Sequence, residues 1–338
     1  MKQPGKILLV SGFVAAVVLS AAITLTIGWR PLLGPKTRPL TSRTFEATPQ
    51  RLQRGRYLFT AVAGCAGCHS EHDPNRDGAP IISGTEGAGE VMPVPELPGR
   101  VVASNLTPDP QTGSGNWNDD QLARAIREGI GHDGRALFPM MPYEHFKHMA
   151  DEDLAAVIVY IRSLPPIRHE LPQTKIIFPV KYLIRSTPEP VTAAVSAPDP
   201  ADRLQWGAYL VRLANCDFCH TPRRRGQPTV AGMEFSGGWP MEIWGLKAAT
   251  ANITPDASGI GYYDEALFVQ VLRTGHVGAR HLSSIMPYSE FKNITDDDLR
   301  AMFAYLRTVK PVKHRVDNSE PPTYCKRCRL RHGGGEQN

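Results

Sequence analysis

No stretch of useful length alternates apolar and polar residues with a period of two, so the chain offers no long half-buried strand on which to build a sheet. Nor does it have a basic stripe interleaved with aromatics. The formal net charge of +5 is modest for 338 residues, and no nucleic-acid partner is expected. Charge is missing altogether from Ile7 to Trp29. What is plentiful is proline and glycine, 30 of each, which together with 41% hydrophobic residues point to compact, loop-rich units.

Two pentapeptides stand out: Cys65-Ala66-Gly67-Cys68-His69 and Cys216-Asp217-Phe218-Cys219-His220. Two cysteines three positions apart can form thioethers to the two vinyl groups of one haem, and the histidine that follows then reaches the iron. Two covalently bound haem c groups are therefore expected, attached through Cys65, Cys68, Cys216 and Cys219, with His69 and His220 as iron ligands. Their propionates would cancel most of the positive charge.

The surroundings of the pentapeptides also repeat. Leu52-Gln53-Arg54-Gly55-Arg56-Tyr57-Leu58 answers Leu204-Gln205-Trp206-Gly207-Ala208-Tyr209-Leu210, and Asn105-Leu106-Thr107-Pro108-Asp109 answers Asn252-Ile253-Thr254-Pro255-Asp256. Met141-Pro142-Tyr143 answers Met286-Pro287-Tyr288. A repeat this long implies a duplicated domain rather than a solenoid. The expected division is a membrane anchor or signal peptide over 1–30, a first domain over 48–168, and a proline-rich connector over 169–200. A second domain over 201–312 and a tail over 313–338 follow.

The matched methionines bear on function. A thioether is a soft ligand that favours reduced iron, so a His/Met pair marks an electron carrier, and Met141 and Met286 supply that sulfur at the same place in both copies. The rival ligands, His132, His145 and His148 in the first copy and His276 and His281 in the second, do not occupy equivalent positions. His72, His169 and His314 read as solvated surface.

Helices should follow each Met-Pro-Tyr, because Leu154, Val157, Ile158 and Ile161 recur with helical spacing and Leu299, Met302, Phe303 and Leu306 do the same. Acidic residues crowd both starts, and Thr295 suits a cap. A second helix should lead into each pentapeptide, where Gly55 or Gly207 would permit a close helix crossing. A third is expected over Asp119 to Glu128 and over Asp264 to Arg273. The fold class is all-α.

The run from Ile7 to Trp29 can span a hydrocarbon core of roughly 30 Å at 1.5 Å per residue. A cleaved signal is the alternative, since Lys2 and Lys6 precede the apolar stretch and Ser20-Ala21-Ala22 offers small residues. Ile23 to Trp29 remain apolar beyond that point, which favours a retained anchor. Positive charges flank both ends, so they do not orient it. Attachment of c-type haem takes place outside the cytoplasmic membrane, so the haem domains are expected in the periplasm.

With these motifs in order, each copy resembles a class I cytochrome c domain. The Met-Pro-Tyr, Asp-Leu and Tyr160-to-Pro166 patterns are similar to the membrane-bound cytochrome c subunits of bacterial alcohol, aldehyde and gluconate dehydrogenases. Those subunits carry three haem motifs, whereas this chain has two. The resemblance implies electron transfer in a periplasmic respiratory chain, from a dehydrogenase or quinol toward an oxidase, with no catalytic residue of the chain's own. The alternative is a dihaem enzyme such as a peroxidase, with one open or exchangeable haem. A third Cys-x-x-Cys, Cys325 to Cys328, is followed by Arg329 rather than histidine. An oxidising compartment favours a local disulfide there; a zinc site with His332 would lack a fourth ligand, and free or otherwise modified thiols are the third alternative.

Overall fold

The structure, a computed structural model, describes residues 4–223 and 229–335; Lys2 and the side chain of Lys6 lie outside the described residues. Helix Pro4–Thr26 is long and apolar enough to cross a membrane, and none of the span Leu9–Thr26 is buried against the rest of the chain. A short helix, Arg30–Leu33, follows, and Arg185 donates to the Pro31 carbonyl at 3.1 Å. Arg38 then plugs into the body. Its guanidinium holds both oxygens of Asp120 and one of Glu128 at 2.7 Å, and the two carboxylates are almost completely buried. Burial pushes the Asp120 carboxyl up, but the bonds from Arg38 and Thr41 win and hold it at about 2.

The body contains two sets of helices in the same order. Helix Pro49–Tyr57 packs along Asp151–Ser163, and Arg203–Leu213 packs along Asp296–Leu306. Glycine permits both crossings. A Cβ on Gly55 would lie 2.0 Å from the Ala156 carbonyl oxygen, and one on Gly207 would lie 1.9 Å from that of Ala301. Thr48, Asp202 and Thr295 each cap their helix by accepting a bond from the amide three residues on. Asn118 and Gln121 form a reciprocal capping box at the start of Asp119–Glu128, and Asp264 caps the corresponding Glu265–Thr274. Both of these helices stop at a glycine in the left-handed region, Gly129 and Gly275. Helix Pro49–Tyr57 continues as a π-helical stretch, Leu58–Val62, whose apolar side chains enter the core.

The all-α expectation needs one correction. Among the described residues there are five two-stranded antiparallel ribbons, the longest being Pro240–Ile243 with Leu246–Ala249. The others are two residues long, too short to leave an alternating pattern in the sequence. One of them pairs Lys175–Ile176 with Gly99–Arg100, and the Asp151 amide donates to the Val195 carbonyl, so the segment between the helix sets lies across the first set.

A single apolar cluster runs through both sets, from Leu58, Phe59, Leu154 and Ile158 to Leu210, Leu213, Leu299 and Met302. Polar contacts cross the junction reciprocally. The Tyr57 hydroxyl donates to Asp298 at 2.5 Å and accepts from the Thr295 amide at 3.2 Å. The Tyr209 hydroxyl donates to Asp153 at 2.7 Å and accepts from the Ala150 amide at 3.0 Å. These are corresponding positions of the repeat, so the two sets meet as the subunits of a two-fold dimer would.

Candidate functional site

Each Cys-x-x-Cys-His forms about one helical turn. The His69 amide donates to the Cys65 carbonyl at 3.0 Å, and Cys216–His220 is a short helix entered through Asn215 in the left-handed region. That turn sets the two sulfurs and the imidazole on one face, because positions three and four apart are neighbours on a helix.

Both imidazoles are buried, and each is anchored through the same atom. His69 Nδ1 donates to the Ser104 carbonyl at 2.6 Å, and His220 Nδ1 donates to the Ala251 carbonyl at 2.7 Å. Ser104 and Ala251 precede the repeated Asn-x-Thr-Pro-Asp segments. In those segments Asn105 and Asn252 accept from Thr107 and Thr254 and donate to the Ile167 and Val312 carbonyls. The carbonyl fixes the tautomer, leaving the Nε2 lone pair free. Burial lowers the pKa of both histidines, so they stay neutral and able to ligate.

The thiols are held neutral as well. Burial pushes the Cys65 and Cys219 thiols up to about 12, and it raises Cys216 as well. None is an activated nucleophile.

In the second set, Cys216, Cys219, His220 and Met286 line one cavity of about 260 Å³. Its walls are largely apolar, with Ile260, Phe268, Leu272, Met302 and Leu306 among them. A neutral imidazole with a free Nε2, two thiols and a thioether around an apolar cavity fit a covalently held haem. In the first set, Cys65 and Met141 both pack against the apolar cluster, as Cys216 and Met286 do.

Four of the five rival histidines have other partners. His132 lies against Trp117, His145 Nε2 meets Asp217 at 3.0 Å, and His276 stacks on His281, which also reaches Asp77 at 3.0 Å. The surface assignment of three other histidines is corrected. His72 is buried between Glu90 and Glu290 and packs on Trp244. His314 is only 2% exposed. His169 is half-buried, bonded to the Ala88 carbonyl at 3.1 Å. Their partners are remote in sequence, so no local pattern could have marked them.

Residues 52–165 match the family model of cytochrome c. Over 300 residues the chain is 31% identical to a nicotinate dehydrogenase subunit of Pseudomonas putida, an overlap of 83% of this chain and 23% of that protein. It is 30% identical over 298 residues to the fructose dehydrogenase cytochrome subunit of Gluconobacter japonicus, covering 82% of this chain and 57% of that one. A diheme cytochrome c-type protein of Cereibacter sphaeroides is 27% identical over 293 residues, 82% of this chain and 93% of that one. The chain thus spans less than two thirds of the length of the two dehydrogenase subunits. Residues 52–165 are a cytochrome c domain, which implies covalently bound haem c, and the chain as a whole resembles the cytochrome c subunits of bacterial dehydrogenases.

Proposed function

We propose that the chain is a dihaem c-type cytochrome that passes electrons from a dehydrogenase, the kind of complex to which its relatives belong, toward an oxidase. Haem is held at Cys65, Cys68 and His69 with Met141 in the first domain, and at Cys216, Cys219 and His220 with Met286 in the second. When bound, haem supplies reversible one-electron chemistry. The chain orients one imidazole through a backbone carbonyl, excludes water with apolar walls, and offers a soft sulfur that favours the reduced metal. In this reading Ile7 to Trp29 hold the protein in the cytoplasmic membrane with both domains in the periplasm.

The observation that carries the proposal is the matched pair His69–Ser104 and His220–Ala251, the same orienting bond at the same place in two motifs. A spectroelectrochemical titration of the full-length protein tests it. Two midpoints are expected, of which Met141→Ala lowers one and Met286→Ala the other. Carbon monoxide should react slowly with the reduced parent and rapidly with each variant. Rapid reaction of the parent, or potentials that neither substitution moves, would overturn the reading.

A further inference from the structure

His314, Cys325, Cys328 and His332 bring one ligating atom each to within 4.8 Å of one another. The sequence alone offered three of these and lacked a fourth. The fold supplies it by returning a hairpin onto the chain that precedes it. Thr323–Tyr324 pairs antiparallel with Arg331–His332, with Thr323 opposite His332. Between the strands, the Cys325 amide donates to the Leu330 carbonyl and the Arg329 amide to the Cys325 carbonyl, both at 2.8 Å, with Arg329 in the left-handed region. This tight turn directs both sulfurs to one side.

His314 arrives from the other side. Its Nδ1 donates to the Ser236 carbonyl at 2.8 Å, which leaves Nε2 facing Cys325 Sγ at 3.4 Å. Gly238 seats the ring, because a Cβ there would come within 2.5 Å of its Cε1. Cys328 is completely buried, in an apolar patch with Met233 and Val312. His332 Nε2 is also buried and has no hydrogen-bond partner. An unpaired buried nitrogen is destabilising, a penalty that coordination removes. A Cys325–Cys328 disulfide would consume both sulfurs and leave that nitrogen unpaired.

We propose that these four residues bind one zinc ion as a closed Cys2His2 site. Two thiolates balance the charge of the divalent ion, and the sulfur–nitrogen set suits tetrahedral zinc. A tetrahedral shell needs ligand separations of roughly 3.3–3.8 Å; the Cys325–His314 pair already stands at 3.4 Å, and the whole set lies within 4.8 Å. Ser236 is the outer partner that fixes the His314 tautomer. The ion would lock the tail onto the wall of the second cavity. Asn318, between His314 and the hairpin, exchanges two bonds with the backbone of Ala249 at 2.9 and 3.0 Å, and Ala249 lines that cavity.

The test is zinc analysis and zinc K-edge absorption spectroscopy on the full-length protein isolated without chelators. One zinc per chain is expected, with two sulfurs at ~2.3 Å and two nitrogens at ~2.0 Å. Cys328→Ser and His332→Ala should each lose the zinc; if either fails to fold, the parent spectrum still decides. A Cys325–Cys328 disulfide in a non-reduced peptide map, a shell of nitrogen and oxygen only, or a protein that takes up no zinc after thiol reduction would overturn the proposal.

Discussion

Tyr57 and Tyr209 are each other's counterparts, and each reaches across the molecule to the counterpart of the other's partners: Tyr57 to Asp298 and Thr295, Tyr209 to Asp153 and Ala150. Every carboxylate in this arrangement has a second donor. Arg54 holds Asp153 at 2.7 Å, and Trp206, at the position corresponding to Arg54, donates its indole N–H to Asp298 at 2.7 Å.

Removing either phenol should weaken the junction. Tyr57→Phe strands the Thr295 amide and Asp298 Oδ2, whereas Tyr209→Phe strands the Ala150 amide while Asp153 Oδ2 keeps its bond from Arg54, each at a cost of about 1–3 kcal/mol. Tyr209→Phe should cost more, because Ala150 and Asp153 are buried. Denaturant midpoints of the two variants check the order.

The helix crossings should tolerate no side chain. Gly55→Ala or Gly207→Ala places a methyl group inside a carbonyl contact, so the helices must part, at roughly 3 kcal/mol or more. A fall in the calorimetric Tm with either substitution is expected, whereas Gly134→Ala, where a Cβ has open space, should show a smaller loss, set by its positive φ alone.

Arg38 neutralises two buried carboxylates. Arg38→Met should cost about 3–5 kcal/mol, since Asp120 and Glu128 would be left without their cation. Asp120 sits below its ordinary range, so its contribution is present above pH 4 or so and is lost as pH falls toward about 2. The variant's deficit relative to the parent should therefore be full above pH 4 or so and narrow as pH falls toward about 2, which denaturant midpoints followed by circular dichroism across that range would read.

His72 gives the opposite pH signature. Burial pulls its pKa down, but Glu290 and Glu90 outweigh burial and raise it to about 9. Its stabilisation is therefore complete below pH ~6.5 and is lost as pH rises through about 9, of order 2–3 kcal/mol in all. Denaturant midpoints between pH 6 and pH 10 should fall in the parent and stay flatter in His72→Gln.

Much of the helical frame was legible because its signals are local. The apolar spacing around Leu154 and Leu299, the cap at Thr295 and the glycines before Tyr57 and Tyr209 all lie within a turn or two of what they determine. Both pentapeptides are local signals of the same kind, and each forms about one helical turn. His314 was not, because its ligand role depends on a hairpin register set by two-residue strands. His72 was not, because Glu290 lies in the other helix set. The exchange of hydroxyls between Tyr57 and Tyr209 follows from the repeat only once the two copies are known to face each other.

Two separate copies of one domain could make the same junction only above some threshold concentration, and only as a symmetric pair. Here a tether of about thirty residues keeps the faces at an effective concentration in the millimolar range, so the junction persists at any dilution. The shared chain also releases the faces from symmetry. Arg54 can stand opposite Trp206, and a Cys-and-His hairpin can grow on one copy alone, without either change being imposed twice.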